Sequence, residues 1–325
     1  MFTILEPRNG ERVTLLHPYH LAYIANPIKS GVGAVDFLDL HAKSAALSAP
    51  RTVTLRYAPS VDAEVQIGTR ADLSDALCIS GTGGVASVTN LLLDTDYFWC
   101  VKKGDSASPT AHFHTDATAP RMLAVDGISN VRDFGGFVTL DGRRVRQGLL
   151  YRTSEFNSHV TLTERGLETL LSLGIRTDLD IRGAGEAVMP VLPDTVAYHN
   201  IPLSAYEHIF TEEQMARYRA LFELLADPAI YPAVLHCWGG IDRTGTFLYV
   251  LGAMLGMKEA DLGLDYEMSS FSIWGDRSRK SEQFRAFLTG LSAYEDSVNA
   301  AAVGYLHAAG VNDRTLSRIR DIFLA

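Results

Sequence analysis

Cysteine is scarce in this chain, with three among 325 residues, at positions 78, 100 and 237. Three thiols cannot make a disulfide framework, so the chain must be held by packing rather than cross-links. Cys78 and Cys100 lie in strand-like segments and read as two separately buried thiols rather than a pair. Positive charge is also short: 29 Lys and Arg face 38 Asp and Glu, a net charge of −9. The deficit is spread along the chain, with 9 basic and 12 acidic residues before Pro120 and 20 and 26 after it. Such a balance argues against nucleic acid or an anionic membrane as partner. No run of 18 apolar residues occurs, so no integral membrane segment is expected. The first residues lack the basic and apolar regions of a secretory signal, but a mature chain with its signal removed would look the same. The compartment stays open.

The length allows two domains, each with its own core. Up to about residue 117 the chain reads as short strands broken by turns. Residues 51–57 and 63–67 alternate polar and apolar, and Tyr97-Phe98-Trp99-Cys100-Val101 is an aromatic, β-branched run. An all-β sandwich over 1–117 is expected. His112 and His114 share one strand face but have no third ligand type nearby, so they read as solvent-facing rather than metal-binding. After Pro120 the pattern changes. Helices are expected over 162–173, 211–226, 244–256, 259–273, 280–291 and 292–325, and strands over 177–181, 198–202 and 233–236. Alternation of this kind predicts an α/β domain over 118–325, with a mostly parallel sheet flanked by helices.

The most informative stretch is His236-Cys237-Trp238-Gly239-Gly240-Ile241-Asp242-Arg243-Thr244-Gly245. It places cysteine and arginine at the two ends of a tight loop, after an apolar strand and before an apolar helix. A loop this short converges backbone N–H groups on one concavity, with a helix N-terminus behind it: an anion site. The same field favours thiolate over thiol. Arg243 supplies a planar fork for two phosphate oxygens. The grouping predicts phosphoryl transfer through a cysteinyl-phosphate, with no metal and no cofactor. Trp238, Gly239, Gly240 and Ile241 would line the substrate.

These residues resemble the H-C-x-x-G-x-x-R-[ST]-G loop of the cysteine-dependent protein tyrosine phosphatase superfamily. Asn130-Val131-Arg132-Asp133-Phe134-Gly135-Gly136, Tyr151-Arg152-Thr153-Ser154, Leu173-Gly174-Ile175-Arg176-Thr177 and Asp180-Ile181-Arg182 with Glu186 are similar to motifs of its bacterial tyrosine/lipid, dual-specificity-like branch. The likeness covers about 121–325. It implies that His236 supports the loop and helps keep Cys237 ionised, and that the Thr244 hydroxyl bonds the thiolate. Asp180, Arg182 and Glu186 read first as a buried brace, and Asn130, Arg132 and Asp133 as a braced turn. In the first half, Leu91-Leu92-Leu93-Asp94-Thr95-Asp96-Tyr97 resembles the tyrosine corner of fibronectin type III modules.

Many superfamily members keep an acidic proton donor about thirty residues before the cysteine. Here residues 201–208 hold no aspartate, only Glu207. Asp242, inside the loop, is the favoured donor and Glu207 the alternative. The expected substrate is a phosphorylated protein of the phosphotyrosine type or another small phosphomonoester. Phosphoinositides and inositol phosphates are the alternative, since Ile241 stands where lipid-active relatives carry lysine. A phosphate-recognising module without turnover is a reading of another class, against which Cys237 and Arg243 both count. The partner of the first domain is unassigned.

Overall fold

The computed structural model describes residues 1–25, 45–183, 185–186, 189–274 and 277–325. The chain divides into two compact units, residues 1–18 with 50–122 and residues 19–49 with 123–325. The division differs from the 1–117/118–325 boundary expected from sequence. Tyr19, His20 and Tyr23 pack around Phe271, with the His20 and Phe271 ring centroids 4.7 Å apart. That burial draws the early segment into the second unit.

The first unit holds β1 (Thr3–Glu6), β2 (Glu11–Val13), β3 (Val53–Ala58), β4 (Ala63–Gly68), β5 (Leu77–Gly81), β6 (Val85–Val88), β7 (Asp96–Lys103), β8 (Ser106–Ala107), β9 (Ala111–Thr115) and β10 (Arg121–Met122). One sheet runs β1-β3-β6 and another β2-β9-β7-β4-β5, with β8 paired to β7. Period-two alternation turns Leu55, Tyr57, Val65, Trp99, Val101 and Phe113 into one shared core. The Tyr97 hydroxyl accepts the Leu92 N–H at 2.9 Å, tying the β7 strand back to the preceding loop. Both cysteines here are free, but only Cys100 is buried, whereas Cys78 is exposed. They stand on strands either side of β4, each opposite Gln66, which explains why they do not pair.

In the second unit the strands are β11 (Arg132–Asp133), β12 (Leu150–Thr153), β13 (Thr177–Asp180), β14 (Ala197–Asn200) and β15 (Ala233–His236). They run in the order β11-β12-β15-β13-β14. Pairing is antiparallel between β11 and β12 and parallel from β12 through β15 and β13 to β14. Every residue of β12, β13 and β15 is buried, as strands covered on both faces must be. The last residues of these three strands, Thr153, Asp180 and His236, stand level across the sheet. Functional groups in such sheets gather at this carboxyl edge.

Helices span Glu164–Ser172, Glu212–Leu225, Asp242–Leu255, Glu259–Glu267, Glu282–Leu291, Val298–Ala308 and Asp313–Phe323. Thr163, Thr211, Ser281, Ser297 and Asn312 cap five of them by accepting an N–H of the first turn. The helical stretch expected over 292–325 holds two helices, separated at Gly310 with φ +89°. The one expected over 259–273 continues beyond Glu267 only as the tighter turn Met268–Phe271. The Asp242–Leu255 helix is buried from Thr244 to its end, which fixes the loop ahead of it on a rigid axis.

Candidate active site

Residues 237–241 join β15 to the Asp242–Leu255 helix. Gly240 has φ +65°, and a Cβ there would stand 2.1 Å from the Thr153 carbonyl oxygen, so only glycine permits this approach. The loop carbonyls are all claimed from outside. Trp238 O accepts the Glu155 N–H at 2.7 Å. Asn130 Nδ2 donates to Gly239 O at 2.9 Å and Gly240 O at 3.1 Å. Arg152 Nη2 donates to Gly240 O at 2.6 Å. In a planar trans peptide the following N–H points the opposite way. With three successive carbonyls held outward, the N–H groups of Gly239, Gly240 and Ile241 turn inward on the concavity beside Cys237.

Beneath the loop lies buried charge of unequal sign. Arg132 Nε and Arg152 Nη1 both grip Asp265, Arg132 at 3.2 Å, and both guanidinium groups are fully buried. Arg132 also reaches the Asp265 carbonyl and Ser269 Oγ, at 2.8 and 3.0 Å. Burial pushes the Asp265 carboxyl up, but the two guanidinium groups outweigh it and hold it below its ordinary value. Two guanidinium groups thus share the one Asp265 carboxylate beneath the loop.

Arg243 donates both Nη groups to Glu186, at 2.7 Å each, which fixes the fork at the mouth of the loop. Burial alone would weaken the Arg243 charge, yet Glu186 and the nearby Cys237 more than restore it. Its guanidinium lies 5.7 Å from the centroid of the Trp238 ring. Trp238 is 39% exposed, while Ile241 is only 1% exposed. Ile241 was expected to line the substrate. Its side chain points into the protein, so this position offers a ligand only its backbone.

The other expected residues fall as follows. Burial would push the His236 imidazole down, but Asp178 and then Asp180 outweigh it and raise it. Its Nε2 stands 3.0 Å from Asp178 Oδ1, close enough for an ion pair though off line for a hydrogen bond. The Thr244 hydroxyl is buried with no hydrogen-bond partner among the described residues, so it is not bonded to Cys237 here. Burial also pushes Asp242 up, yet its bonds to Arg277 (2.7 and 3.1 Å) and to the Tyr206 hydroxyl hold it below the usual carboxylate range. Glu207 faces outward, 41% exposed, 3.7 Å from His208.

Glu186 was expected to join Asp180 and Arg182 in a brace. The brace forms instead with Glu155, which takes Arg182 Nη1 at 3.0 Å, while Asp180 takes Nη2 at 2.8 Å. Glu186 is freed for Arg243. Sequence reasoning also passed over Arg277, Tyr206 and Asp265. Tyr206 has φ +55° and is pinned by Thr246 Oγ1 and by the Asp242 and Tyr266 hydroxyl contacts. Strain held in place by several contacts is common at functional sites. No spacing rule reaches from residue 206 or 277 to 242.

Residues 123–325 match the tyrosine phosphatase family. A protein of Cupriavidus necator that carries a provisional tyrosine-protein phosphatase name is 31% identical over 170 residues, 44% of this chain and 61% of its own length. The chain thus spans about three fifths of that relative. Among solved structures, the catalytic core of Siw14 matches at a TM-score of 0.33 and 14% identity, covering 46% of this chain and 83% of that one. The core catalytic domain of the PP-IP phosphatase SIW14 from S. cerevisiae, in complex with citrate, has the same score and identity, covering 52% and 94%. The family match extends over more than half the sequence and holds the whole cysteine–arginine loop: the chain belongs to the tyrosine phosphatase family.

Proposed function

We propose that the protein hydrolyses phosphomonoesters through a cysteinyl-phosphate intermediate, without a metal, and that aryl phosphates of the phosphotyrosine type are its substrates. The observation that carries this reading is the loop whose carbonyls are held outward above the buried Arg132–Asp265–Arg152 cluster, with Cys237 and Arg243 at its ends. The Cys237 sulfur attacks phosphorus and the P–O bond to the leaving group breaks. The inward N–H groups and Arg243 hold the non-bridging oxygens as charge builds on them. Water then attacks the phosphocysteine, releasing phosphate and the thiolate. Asp242 is the proposed donor of the leaving-group proton and later the acceptor of the water proton. Held ionised by Arg277, it carries that proton only at acidic pH, which favours leaving groups that depart well without one, as phenols do.

The substrate class rests on the rings around the mouth. The His159 ring stands 4.8 Å from Trp238 and 5.7 Å from Trp274, making an aromatic wall beside Arg243 suited to a flat ring. A phosphoinositide or inositol phosphate would draw instead on an added cation such as Arg277, beside Asp242, where Ile241 supplies none. Asp242 already neutralises Arg277, so the wall weighs more. A panel of phosphopeptides, phosphoinositides and inositol polyphosphates at equal concentration, with chelator present, tests the reading. Preference for the phosphotyrosine peptides is expected. Preference for polyphosphorylated lipids or inositols defeats the substrate class, and binding without turnover of any of them defeats the enzyme reading.

For the first unit we propose a fibronectin type III-like sandwich that positions the enzyme or binds a partner. The shared core of its two sheets and the Tyr97 tie to the Leu92 backbone support it.

A further inference from the structure

The loop is held by Asn130, and Asn130 is itself held from an unexpected direction. Its φ is +63°, the left-handed region that a side-chain-bearing residue enters only when its surroundings impose it. Its Nδ2 grips Gly239 O and Gly240 O, and its Oδ1 accepts from Arg132 Nη1. Its backbone N–H donates to Ser48 Oγ at 3.1 Å. Ser48 is 2% exposed, and its hydroxyl also lies 3.3 Å from Ser129 Oγ. The opposite end of the same early segment docks on the other support of the loop. The Tyr23 hydroxyl donates to the buried Glu267 at 3.0 Å, two residues from Asp265, and His20 packs on Phe271. His20 Nε2 in turn lies 2.8 Å from Leu47 O, joining the two docked pieces.

We propose that Ser48 is a positioning residue for the catalytic loop, acting through Asn130, so that residues 19–25 and 45–49 complete the active site. Ser48 touches no reacting atom. It satisfies an N–H that would otherwise be buried without a partner, and that bond keeps Asn130 in its left-handed conformation. Without it Asn130 relaxes toward ordinary backbone angles. Gly239 O then loses its donor and Gly240 O keeps only Arg152, so the N–H groups of the concavity swing off target. Catalytic residues displaced by about 1 Å cost on the order of a hundredfold in rate. The inference rests on the proposed role of Cys237 but is tested separately from it.

The test compares the full chain with Ser48→Ala and Ser48→Thr. Three quantities are read: kcat and KM on an aryl phosphate, the rate at which iodoacetamide alkylates Cys237 (followed on its own peptide, because Cys78 is exposed), and the melting temperature. Ser48→Ala is expected to lower kcat about ten- to a hundredfold with KM within about twofold, and to slow Cys237 alkylation at neutral pH. Ser48→Thr, which restores the acceptor, should recover most of both. A fall in melting temperature with unchanged kcat and alkylation would make Ser48 merely structural and overturn the proposal. If Ser48→Ala does not fold, Ser48→Cys weakens the acceptor at nearly constant volume and is read in the same way. A wild-type chain that hydrolyses nothing, yet whose Cys237 alkylation depends on Ser48, would remove the phosphatase reading and leave the positioning role standing.

Discussion

The two units solve burial in opposite ways. In the first, the interior is mainly hydrocarbon: Trp99, Leu55, Val65, Val101 and Phe113 are 3% exposed or less, the buried Arg121 bonds backbone carbonyls, and the ion pairs of the described residues sit toward the surface. In the second, Arg132, Arg152, Arg182, Asp180, Glu155, Glu267 and His236 are all 1% exposed or less. Charge inside a protein is expensive unless paired, and replacing such pairs by hydrocarbon is often neutral or stabilising. A fold built for stability alone would resemble the first unit. Several buried charges of the second stand at the carboxyl edge of its sheet or beneath the loop, where Arg152 holds the Gly240 carbonyl and Arg132 holds Asn130. The contrast teaches that buried charge here is what the proposed anion site requires rather than what stability requires.

Four changes sharpen or break that contrast. The largest effect is expected from Cys237→Ser. It should abolish turnover of an aryl phosphate by at least ~10⁴-fold, since removal of a nucleophile leaves only binding and electrostatic stabilisation. Circular dichroism and melting temperature should stay near wild type, because Cys237 is a small buried side chain. Residual activity near the wild-type rate would sink the covalent mechanism.

Asp265→Asn comes next and should damage stability as well as rate. The change leaves Arg132 and Arg152 facing each other with no carboxylate between them, a loss of about 3–5 kcal/mol by analogy with other broken buried pairs. Urea unfolding of the full chain measures it. A destabilisation below about 1 kcal/mol would mean that the two guanidinium groups are satisfied without Asp265.

How much of this was legible in advance depends on the reach of each contact. The loop, its flanking strand and its helix were legible because strand, glycines and helix are contiguous in sequence. Glu186 lay within a recognised run, but its partner was misread, since the sequence does not say that Glu155 occupies the place beside Arg182. The place of residues 19–25 and of Ser48 in the second unit was hidden, because Ser48 and Asn130 are 82 residues apart and neither belongs to a periodic pattern. Ile241 was assigned to the ligand from its place in the loop, and only its burial in the fold shows that its side chain turns inward. Arg277 reaches Asp242 from outside any motif.

A smaller effect, and one selective in substrate, is expected from Asp242→Asn. Its carboxyl is held low, so as pH rises through its folded-state value the proton it donates is lost. Wild-type turnover of alkyl phosphates should therefore fall as pH rises from the acidic side. In the variant that dependence should flatten, with kcat down about 10²-fold on alkyl phosphates and much less on activated aryl phosphates. A Glu207→Gln variant with this signature would move the donor to the exposed residue instead.

The smallest effect belongs to the first unit. His114 pairs with Asp96 at 3.0 Å and Asp94 at 3.1 Å, and these hydrogen bonds, Asp96 first, raise its pKa above the ordinary value. A raised folded-state value means the pairing stabilises fully below the unfolded pKa of about 6.5 and fades as pH rises through the folded one. His114→Ala should therefore lower the melting temperature slightly at pH 6 and hardly at all at pH 9. The size is set by an exposed pair screened by solvent, at most about 0.5–1 kcal/mol. Aryl phosphate turnover should be unchanged, since no charge of this surface cluster is needed to orient the loop. Melting curves at the two pH values, with initial rates alongside, check both halves. A loss of turnover in His114→Ala would break the contrast between the units, because a surface pair of the first would then be acting on the chemistry of the second.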